Sequence, residues 1–276
     1  MENAAPDTHL LLVDVGNTNT KVGLAGPPPA GLAGPGGAAR ALLDAYSLPT
    51  DPASTPDSLG LDLLALARHA GLAPEQVEAV VVSSVAPSQD GKLREAARRF
   101  FGCPALFVPR ELPLPLENRY ARPQGVGADR LVTAFAARVL VPEGNLIVID
   151  FGTATTFEVV VGNAYLGGLI GPGVLTSARA LATGTAKLPQ ISLEAAGPDI
   201  EVGRSTSTSL NQGLVHGFAA MAEGLVARLS RTLDGPATVV ATGGFAPALA
   251  KVTDCFDRVE PDLLLNGLLL AYERKG

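Results

Sequence analysis

The chain has 276 residues, of which 47% are hydrophobic, and a net charge of −6. This length can bury the cores of two domains of roughly 140 residues each. The acidic balance, with a pI of about 5.1, argues against nucleic acid as a partner, because binding a phosphate backbone needs a basic face. No apolar run approaches the roughly 20 residues of a membrane span, so no membrane partner is expected. Two cysteines without a secretory signal indicate a cytoplasmic protein.

In the first half, hydrophobic periodicity predicts three strands and then alternating helices and strands. The expected order is a strand from Leu10, strands at Lys21–Ala25 and Ala41–Ser47, a helix at Ser58–Ala70, a strand at Ala79–Ser84, a helix at Gly91–Phe101, a strand at Ala105–Val108 and a helix at Ala128–Val141.

The second half is predicted to repeat this order. We expect strands at Leu146–Phe151, Thr156–Val161 and Tyr165–Ile170, a long helical region ending near Leu229, a strand at Thr238–Thr242, a helix from Phe245, a strand near Phe256–Val259 and a last helix at Leu263–Arg274. A three-stranded meander followed by alternating helix and strand is one α/β unit. The chain therefore predicts two tandem α/β domains, 1–143 and 144–276, similar to the actin-like (ribonuclease-H-like) architecture with an interdomain nucleotide cleft.

The same short pattern ends the first strand of each half. Leu11–Thr18 reads LLVDVGNT and Leu146–Thr153 reads LIVIDFGT, each an apolar strand followed by Asp-x-Gly and Thr. Gly lets a backbone N–H approach an anion closely, successive N–H groups can cradle phosphate, and Asp can hold the accompanying cation. Asp-x-Gly alone is also what an ordinary hairpin turn needs. Its repetition in the same context favours a paired phosphate site, and no P-loop is present as an alternative.

A polar loop from Asn118 to Gly127 delivers Asp129 and Arg130 to the first turn of a predicted helix. An Asp at this position often serves only to stabilise the helix dipole. Alternatively, the helix N-terminus keeps Asp129 ionised, so that it accepts a proton from a substrate hydroxyl while Arg130 pairs with a substrate carboxylate. Both interpretations stay open from these residues alone.

An ordered set of segments resembles the type III pantothenate kinases, the first enzymes of coenzyme A biosynthesis. The segments are DVGNTNTK at Asp14–Lys21, GADR at Gly127–Arg130, DFGTATT at Asp150–Thr156, GGLIGPG at Gly167–Gly173, TAKLP at Thr185–Pro189 and TGG at Thr242–Gly244. With the C-terminal helix at Pro261–Tyr272, the resemblance covers nearly the whole chain, apart from an N-terminal extension before Leu10 and a longer Gly26–Gly37 loop. It implies ATP-dependent phosphorylation of pantothenate to 4′-phosphopantothenate by a homodimer that uses Mg²⁺ and either K⁺ or NH₄⁺.

The resemblance also implies roles for individual residues. Asp129 matches the catalytic base, and Asp150 matches the residue that holds the monovalent cation. Asp14 is a candidate to hold Mg²⁺ through water. The residues expected around pantothenate are Tyr120, Gly127, Ala128, Asp129, Arg130 and Thr185, the last from the neighbouring subunit. The residues expected around ATP are Asp14, Val15, Gly16, Asn17, Thr18, Asn19, Thr20, Lys21 and Thr153, with Gly243 and Gly244 beside the adenosine.

Two other functions stay open at this point. Another actin-like phosphotransferase or phosphohydrolase would share the two hairpins but would not need the Tyr120–Arg130 loop or Thr185. A nucleotide-binding regulatory accessory protein could lose the base, and the presence of Asp14, Asp129 and Asp150 argues against it.

Overall fold

The structure is a computed structural model that describes residues 8–29, 33–185, 188–195 and 197–275. Within these ranges the chain divides into two compact units. The first contains the chain up to Pro115 together with Gln124–Leu140 and the residues from Leu264 onwards, and the second contains Leu116–Pro123 and Val141–Leu263. In the part of the chain described, no helix is long and apolar enough to cross a membrane.

The secondary structure follows the predicted order, with strands numbered β1 to β11 and helices α1 to α7. Up to residue 140 the elements are β1 (His9–Val15), β2 (Asn19–Gly26), β3 (Ala41–Pro49), α1 (Pro56–His69), β4 (Val77–Ser84), α2 (Pro87–Phe101), β5 (Ala105–Phe107), β6 (Glu117–Asn118) and α3 (Ala128–Leu140). Beyond it they are β7 (Asn145–Phe151), β8 (Ala154–Val161), β9 (Ala164–Pro172), α4 (Val174–Gly184), α5 (Thr206–Ser230), β10 (Ala237–Thr242), α6 (Ala246–Leu249), β11 (Arg258–Val259) and α7 (Leu263–Glu273).

The two sheets repeat one topology. The strand order is β3-β2-β1-β4-β5 in the first unit and β11-β10-β7-β8-β9-β6 in the second. In each, an antiparallel meander is extended on the side of its first strand by two parallel strands. This repetition confirms the predicted two-domain α/β class of actin-like type.

The central strand of each sheet is buried along its length. Leu10–Val13 on β1 and Leu146–Ile149 on β7 have no exposed surface. Such continuous apolar runs are typical of strands covered on both faces. Helices α1 and α2 supply Leu63 and Leu93 to the first core, and α5 supplies Phe218 to the second. Both polar hairpin turns are therefore attached to rigid, buried strands.

Two features differ from the sequence-based expectation. The long helical region expected to end near Leu229 is two helices, α4 and α5, because Pro189 and Pro198 interrupt it and a Ser205–Thr208 capping box starts α5. The predicted domains 1–143 and 144–276 also differ from the compact units in two segments. Helix α7 packs in the first unit, where Gly267 lies against Val132 of α3, and strand β6 pairs with β9 in the second.

Candidate active site

The first hairpin carries a polar row across three strands of its sheet. Asp14, at the end of β1, is in register with Lys21 on β2 and with Ser83 on β4. Residues paired in this way present their side chains on the same face of the sheet. A carboxylate, an ammonium and a hydroxyl group therefore lie in one row on the same face of the sheet, close to where the turn begins.

The turn of the first hairpin requires glycine. The N–H of Gly16 donates to the carbonyl oxygen of Asn19 at 3.1 Å, and a Cβ at Gly16 would lie 2.8 Å from that oxygen. The side chains of Asn17, Thr18 and Asn19 are exposed, as a phosphate contact needs. The turn thus uses the Gly16 N–H for its own closure.

Two of the predicted ATP residues point away from this surface. Val15 and Thr20 are buried, and the Thr20 hydroxyl pairs with that of Thr50 at 2.9 Å. Their side chains therefore hold the turn on the core.

The second hairpin repeats the carboxylate but not the lysine. Asp150, near the end of β7, is in register with Thr156 on β8 and Thr242 on β10. The N–H of Gly152 donates to the carbonyl oxygen of Ala154 at 3.1 Å and closes a shorter turn. The row at this position is therefore a carboxylate flanked by hydroxyl groups.

Gly243 is the close neighbour of Asp150. Its φ is +90°, and a Cβ there would lie 2.4 Å from Oδ1 of Asp150. A Cβ at Gly244 would meet no atom within 4 Å. Gly244 is exposed and has room for a side chain, whereas Gly243 is small because of the carboxylate. The predicted ATP residue Thr153 is exposed, and its carbonyl oxygen accepts a 2.6 Å hydrogen bond from the Thr176 hydroxyl.

Asp129 lies in the first turn of α3, beside the end of β1. Its Oδ1 accepts the N–H of Arg130 at 2.8 Å. A Cβ at Gly127 would lie 2.3 Å from that oxygen and 3.3 Å from Cγ1 of Val85, while the Val85 N–H donates to the Val15 carbonyl oxygen at 3.0 Å. Within the first unit, Val85 therefore brings Asp129 and the first hairpin together, and Ala128 and Arg130 flank the carboxylate.

Opposing effects act on the pKa of Asp129. Burial is the largest effect and raises the pKa of Asp129 above its ordinary value, although the N–H and the charge of Arg130 both lower it. A carboxylate whose pKa is raised is a stronger proton acceptor once ionised. Desolvated carboxylates of this kind are characteristic of functional sites.

Tyr120 and Thr185 lie in the second unit. The aromatic ring of Tyr120 stands 6.4 Å from that of Tyr165, centroid to centroid. Thr185 follows α4 and is exposed, and its hydroxyl donates to the Leu181 carbonyl oxygen at 2.8 Å and accepts the Leu188 N–H at 3.3 Å. The Ala186 and Lys187 positions of the TAKLP segment lie outside the described residues.

The cation sites can be tested against the chemistry of their donors. No group of three or more His, Cys, Asp or Glu side chains in the described ranges is placed to hold a metal ion. Mg²⁺ that is bound mainly through substrate phosphates needs only one or two carboxylates, so Asp14 fits that role. A weakly held monovalent ion suits Asp150, because Thr156 and Thr242 in its row are neutral oxygen ligands.

Sequence reasoning missed the end of β4 as part of the site. Ser83 is fully buried in register with Asp14, and its hydroxyl has no hydrogen-bond partner among the described residues. Val85 then hydrogen-bonds to the end of β1 and lies where a side chain at Gly127 would touch it. The available signal was a Ser-Ser pair at the carboxyl end of an apolar strand, where ligands of parallel sheets bind.

The chain is similar to known proteins both in sequence and in fold. Residues 10–228 match the family model described as type III pantothenate kinase. The chain is 56% identical over 265 residues to the type III pantothenate kinase of Nitratidesulfovibrio vulgaris (strain DP4), covering 96% of this chain and 97% of that one. It is 54% identical over 267 residues to the type III pantothenate kinase of Oleidesulfovibrio alaskensis, with 96% and 97% covered. Its fold is similar to that of a ROK family glucokinase from Streptomyces griseus, with a TM-score of 0.51 and 16% identity over 97% of this chain and 100% of that one.

Proposed function

Because the chain belongs to the type III pantothenate kinases, we propose that Asp129 is the base of an ATP-dependent phosphorylation of pantothenate. The product is 4′-phosphopantothenate, and the reaction is the first step of coenzyme A biosynthesis. The observation that carries the role of Asp129 is its position: a half-buried carboxylate at the start of α3, beside Gly127, whose neighbour Val85 is hydrogen-bonded to the end of β1.

Asp129 aligns the primary hydroxyl of pantothenate and accepts its proton as the oxygen attacks the γ-phosphate of ATP. Arg130, the next residue, supplies a guanidinium group for the pantothenate carboxylate, which suits its planar pair of donors. Tyr120, Gly127 and Ala128 complete the predicted substrate contacts. Positioning and electrostatic stabilisation provide most of the rate, as is general for phosphoryl transfer.

The two hairpins bind the phosphates of ATP. Lys21, in register with Asp14, contributes positive charge on the first hairpin, and the exposed Asn17–Asn19 turn contributes polar groups. Asp14 would hold Mg²⁺ through water, and Asp150 would hold K⁺ or NH₄⁺. Both cations offset phosphate charge when they are bound.

A homodimer is supported by the exposed apolar surface around α4. Val174 is buried, whereas Leu175 is 51% and Leu181 37% exposed, and Ile170 on the preceding strand is 67% exposed. Such exposed apolar side chains are available for contact with another protein. We assign this surface to a second copy of the chain, which would place Thr185, at the end of α4, near the partner's pantothenate. The reaction belongs in the cytoplasm with its substrates.

A coupled ADP-release assay tests the proposal. ADP should appear only when ATP and pantothenate are both present, and the rate should fall when potassium is replaced by sodium at matched ionic strength. ADP release without pantothenate would indicate another actin-like phosphotransferase or phosphohydrolase. Binding of ATP without turnover under any of these conditions would instead indicate a regulatory nucleotide-binding protein.

A further inference from the structure

Glu158 is a carboxylate buried inside the second sheet. It lies on β8 between the apolar residues Phe157 and Val159, and it has no exposed surface. Its Oε2 accepts a 2.7 Å hydrogen bond from the hydroxyl of Tyr165 on β9, which is also fully buried. Burying a carboxylate is costly unless it is paired and hydrogen-bonded, and the Tyr165 hydroxyl supplies one such hydrogen bond.

Tyr165 connects this pair to the loop that carries Tyr120. The carbonyl oxygen of Tyr165 accepts the N–H of Arg119 at 2.9 Å, and the residue is in register with Asn118 of β6. Its ring lies 6.4 Å from the ring of Tyr120, with 36° between the planes. The backbone and the side chain of Tyr165 therefore both support the loop.

Gly167 also packs closely against Tyr120. Its φ is +106°, and a Cβ there would lie 2.8 Å from Cδ2 and 2.9 Å from Cε2 of Tyr120. The Tyr120 ring thus lies directly against the Cα of Gly167. Asn118 fixes the main chain of the same loop, because its Oδ1 accepts the Tyr120 N–H at 3.0 Å and its Nδ2 donates to the Pro123 carbonyl oxygen at 3.2 Å.

We propose that Glu158, Tyr165 and Gly167 form a platform that positions Tyr120 for pantothenate. We call these three residues the Tyr120 platform. Holding the ring in one orientation before the substrate arrives removes part of the ordering cost of binding. The platform should therefore set the affinity for pantothenate and leave that for ATP unchanged. This inference rests on the proposed function, since it takes Tyr120 as a substrate contact.

The first test compares two glycines of the β8–β9 hairpin. Gly162 also has a positive φ, +55°, but a Cβ there meets nothing within 4 Å. Gly162→Ala and Gly167→Ala both impose backbone strain, and only the second displaces Tyr120. Gly167→Ala should raise the KM for pantothenate roughly tenfold, as expected for a misplaced substrate contact, with the KM for ATP unchanged. Gly162→Ala should change neither KM. An equal rise of both KM values for Gly167→Ala would overturn the proposal.

The second test concerns the buried pair. Tyr165→Phe removes the hydroxyl that donates to Glu158, whereas Glu158→Gln keeps an oxygen that can accept it. Tyr165→Phe should raise the KM for pantothenate, and Glu158→Gln should retain most of the wild-type value. Thermal unfolding measured on each variant identifies the temperature range in which all are folded. If, within that range, Tyr165→Phe matches wild type in its KM for pantothenate, the pair does not position Tyr120.

A double-mutant cycle decides whether the platform acts through Tyr120. In a Tyr120→Ala background, Gly167→Ala should cause no further rise in the KM for pantothenate. If the two substitutions raised the KM for pantothenate independently, so that their effects multiplied, the proposal would be overturned. A Tyr120→Ala enzyme with a wild-type KM for pantothenate would also overturn it. Failure of the unmodified protein to release ADP in a pantothenate-dependent way would overturn the proposed function itself, so the two failures are distinguishable.

Discussion

The two hairpins share a topology but differ in the charge of the residue paired with each aspartate. Asp14 and Asp150 occupy equivalent positions near the ends of the central strands. Lys21 is in register with Asp14, whereas Thr156 is in register with Asp150. An ammonium group attracts phosphate, while a hydroxyl oxygen can be a ligand for a cation. The row of the first aspartate therefore contains a positive charge, whereas the row of the second contains only neutral hydroxyl groups beside the carboxylate.

The turns differ as well. The first leaves Gly16–Thr18 between its strands, and the second leaves Gly152 and Thr153. A Cβ at Gly16 would lie 2.8 Å from a backbone oxygen, whereas a Cβ at Gly152 would come no closer than 3.5 Å to its neighbours. The longer turn is thus the more tightly packed one.

The largest expected effect comes from Asp129, the proposed base in the first unit. Asp129→Asn keeps the size and the hydrogen bonding of the side chain but removes proton acceptance. Turnover should fall roughly a hundredfold or more, with ATP binding little changed. Steady-state kinetics and nucleotide titration measure the two quantities, and a variant with near wild-type turnover would exclude Asp129 as the base.

The raised pKa of Asp129 predicts a pH dependence of both activity and stability. Only the ionised form accepts a proton, so kcat/KM should fall as pH drops through a pKa above the ordinary aspartate range. The folded state binds the Asp129 proton more tightly than the unfolded state does. The free energy of unfolding therefore decreases as pH rises from the pKa of the unfolded state to that of the folded state. At higher pH this loss of stability stays constant. At pH 7 the Asp129→Asn variant should therefore unfold at the same or a higher temperature than wild type. A clear drop in Tm would point to a structural role.

The next prediction combines a substitution in the first unit of one chain with a substitution in the second unit of another chain. If Thr185 serves the partner's site, a mixed dimer of Asp129→Asn and Thr185→Arg has one site with both lesions and one with neither. Random re-pairing makes about half of the dimers mixed, so two inactive variants should together recover about a quarter of wild-type activity. Native mass spectrometry can confirm the exchange. Exchange without recovery would place Thr185 in its own chain's site or outside the site.

A smaller effect is expected from the cation. Asp150→Asn should weaken the dependence of the rate on potassium, along with the affinity for ATP, because the carboxylate charge that attracts the ion is gone. Titrating potassium against sodium at constant ionic strength measures this. If the wild-type enzyme were equally active in sodium and in potassium, Asp150 would not be the site of a required monovalent cation.

A positive charge introduced opposite Asp150, as in the first hairpin, tests more sharply whether a cation binds there. Thr156→Lys copies the Asp14–Lys21 pairing onto the second hairpin, so its ammonium group should partly replace the cation and flatten the potassium titration. Thr156→Gln is the matched neutral control and should retain the dependence. Identical titration curves for the two variants would show that charge opposite Asp150 is unimportant.

Local patterns predicted the hairpins, because an apolar strand followed by Asp-x-Gly defines both the strand and the turn that follows it. Local patterns could not predict contacts between strands that are far apart in the sequence. Gly243 lies against Asp150 only because β10 pairs with β7, and Ser83 is in register with Asp14 only because β4 pairs with β1. The two-residue strand β6, which carries the Tyr120 loop, has no periodicity to detect. The raised pKa of Asp129 depends on burial by the folded chain, which opposes the helix effect seen in the sequence.

The smallest expected effect distinguishes the two turn glycines. Neither Gly16 nor Gly152 has a φ in the left-handed region, so alanine is strained at these positions only by contact. Gly16→Ala brings Cβ to 2.8 Å from the Asn19 carbonyl oxygen, which accepts the Gly16 N–H. The turn must shift, and we expect a loss of about 1 kcal/mol in the free energy of unfolding with a higher KM for ATP. Gly152→Ala makes an ordinary contact at 3.5 Å and should change stability by less than about 0.5 kcal/mol. Urea denaturation and ATP kinetics on both variants check this, and equal losses would show that the longer turn is not the more tightly packed one.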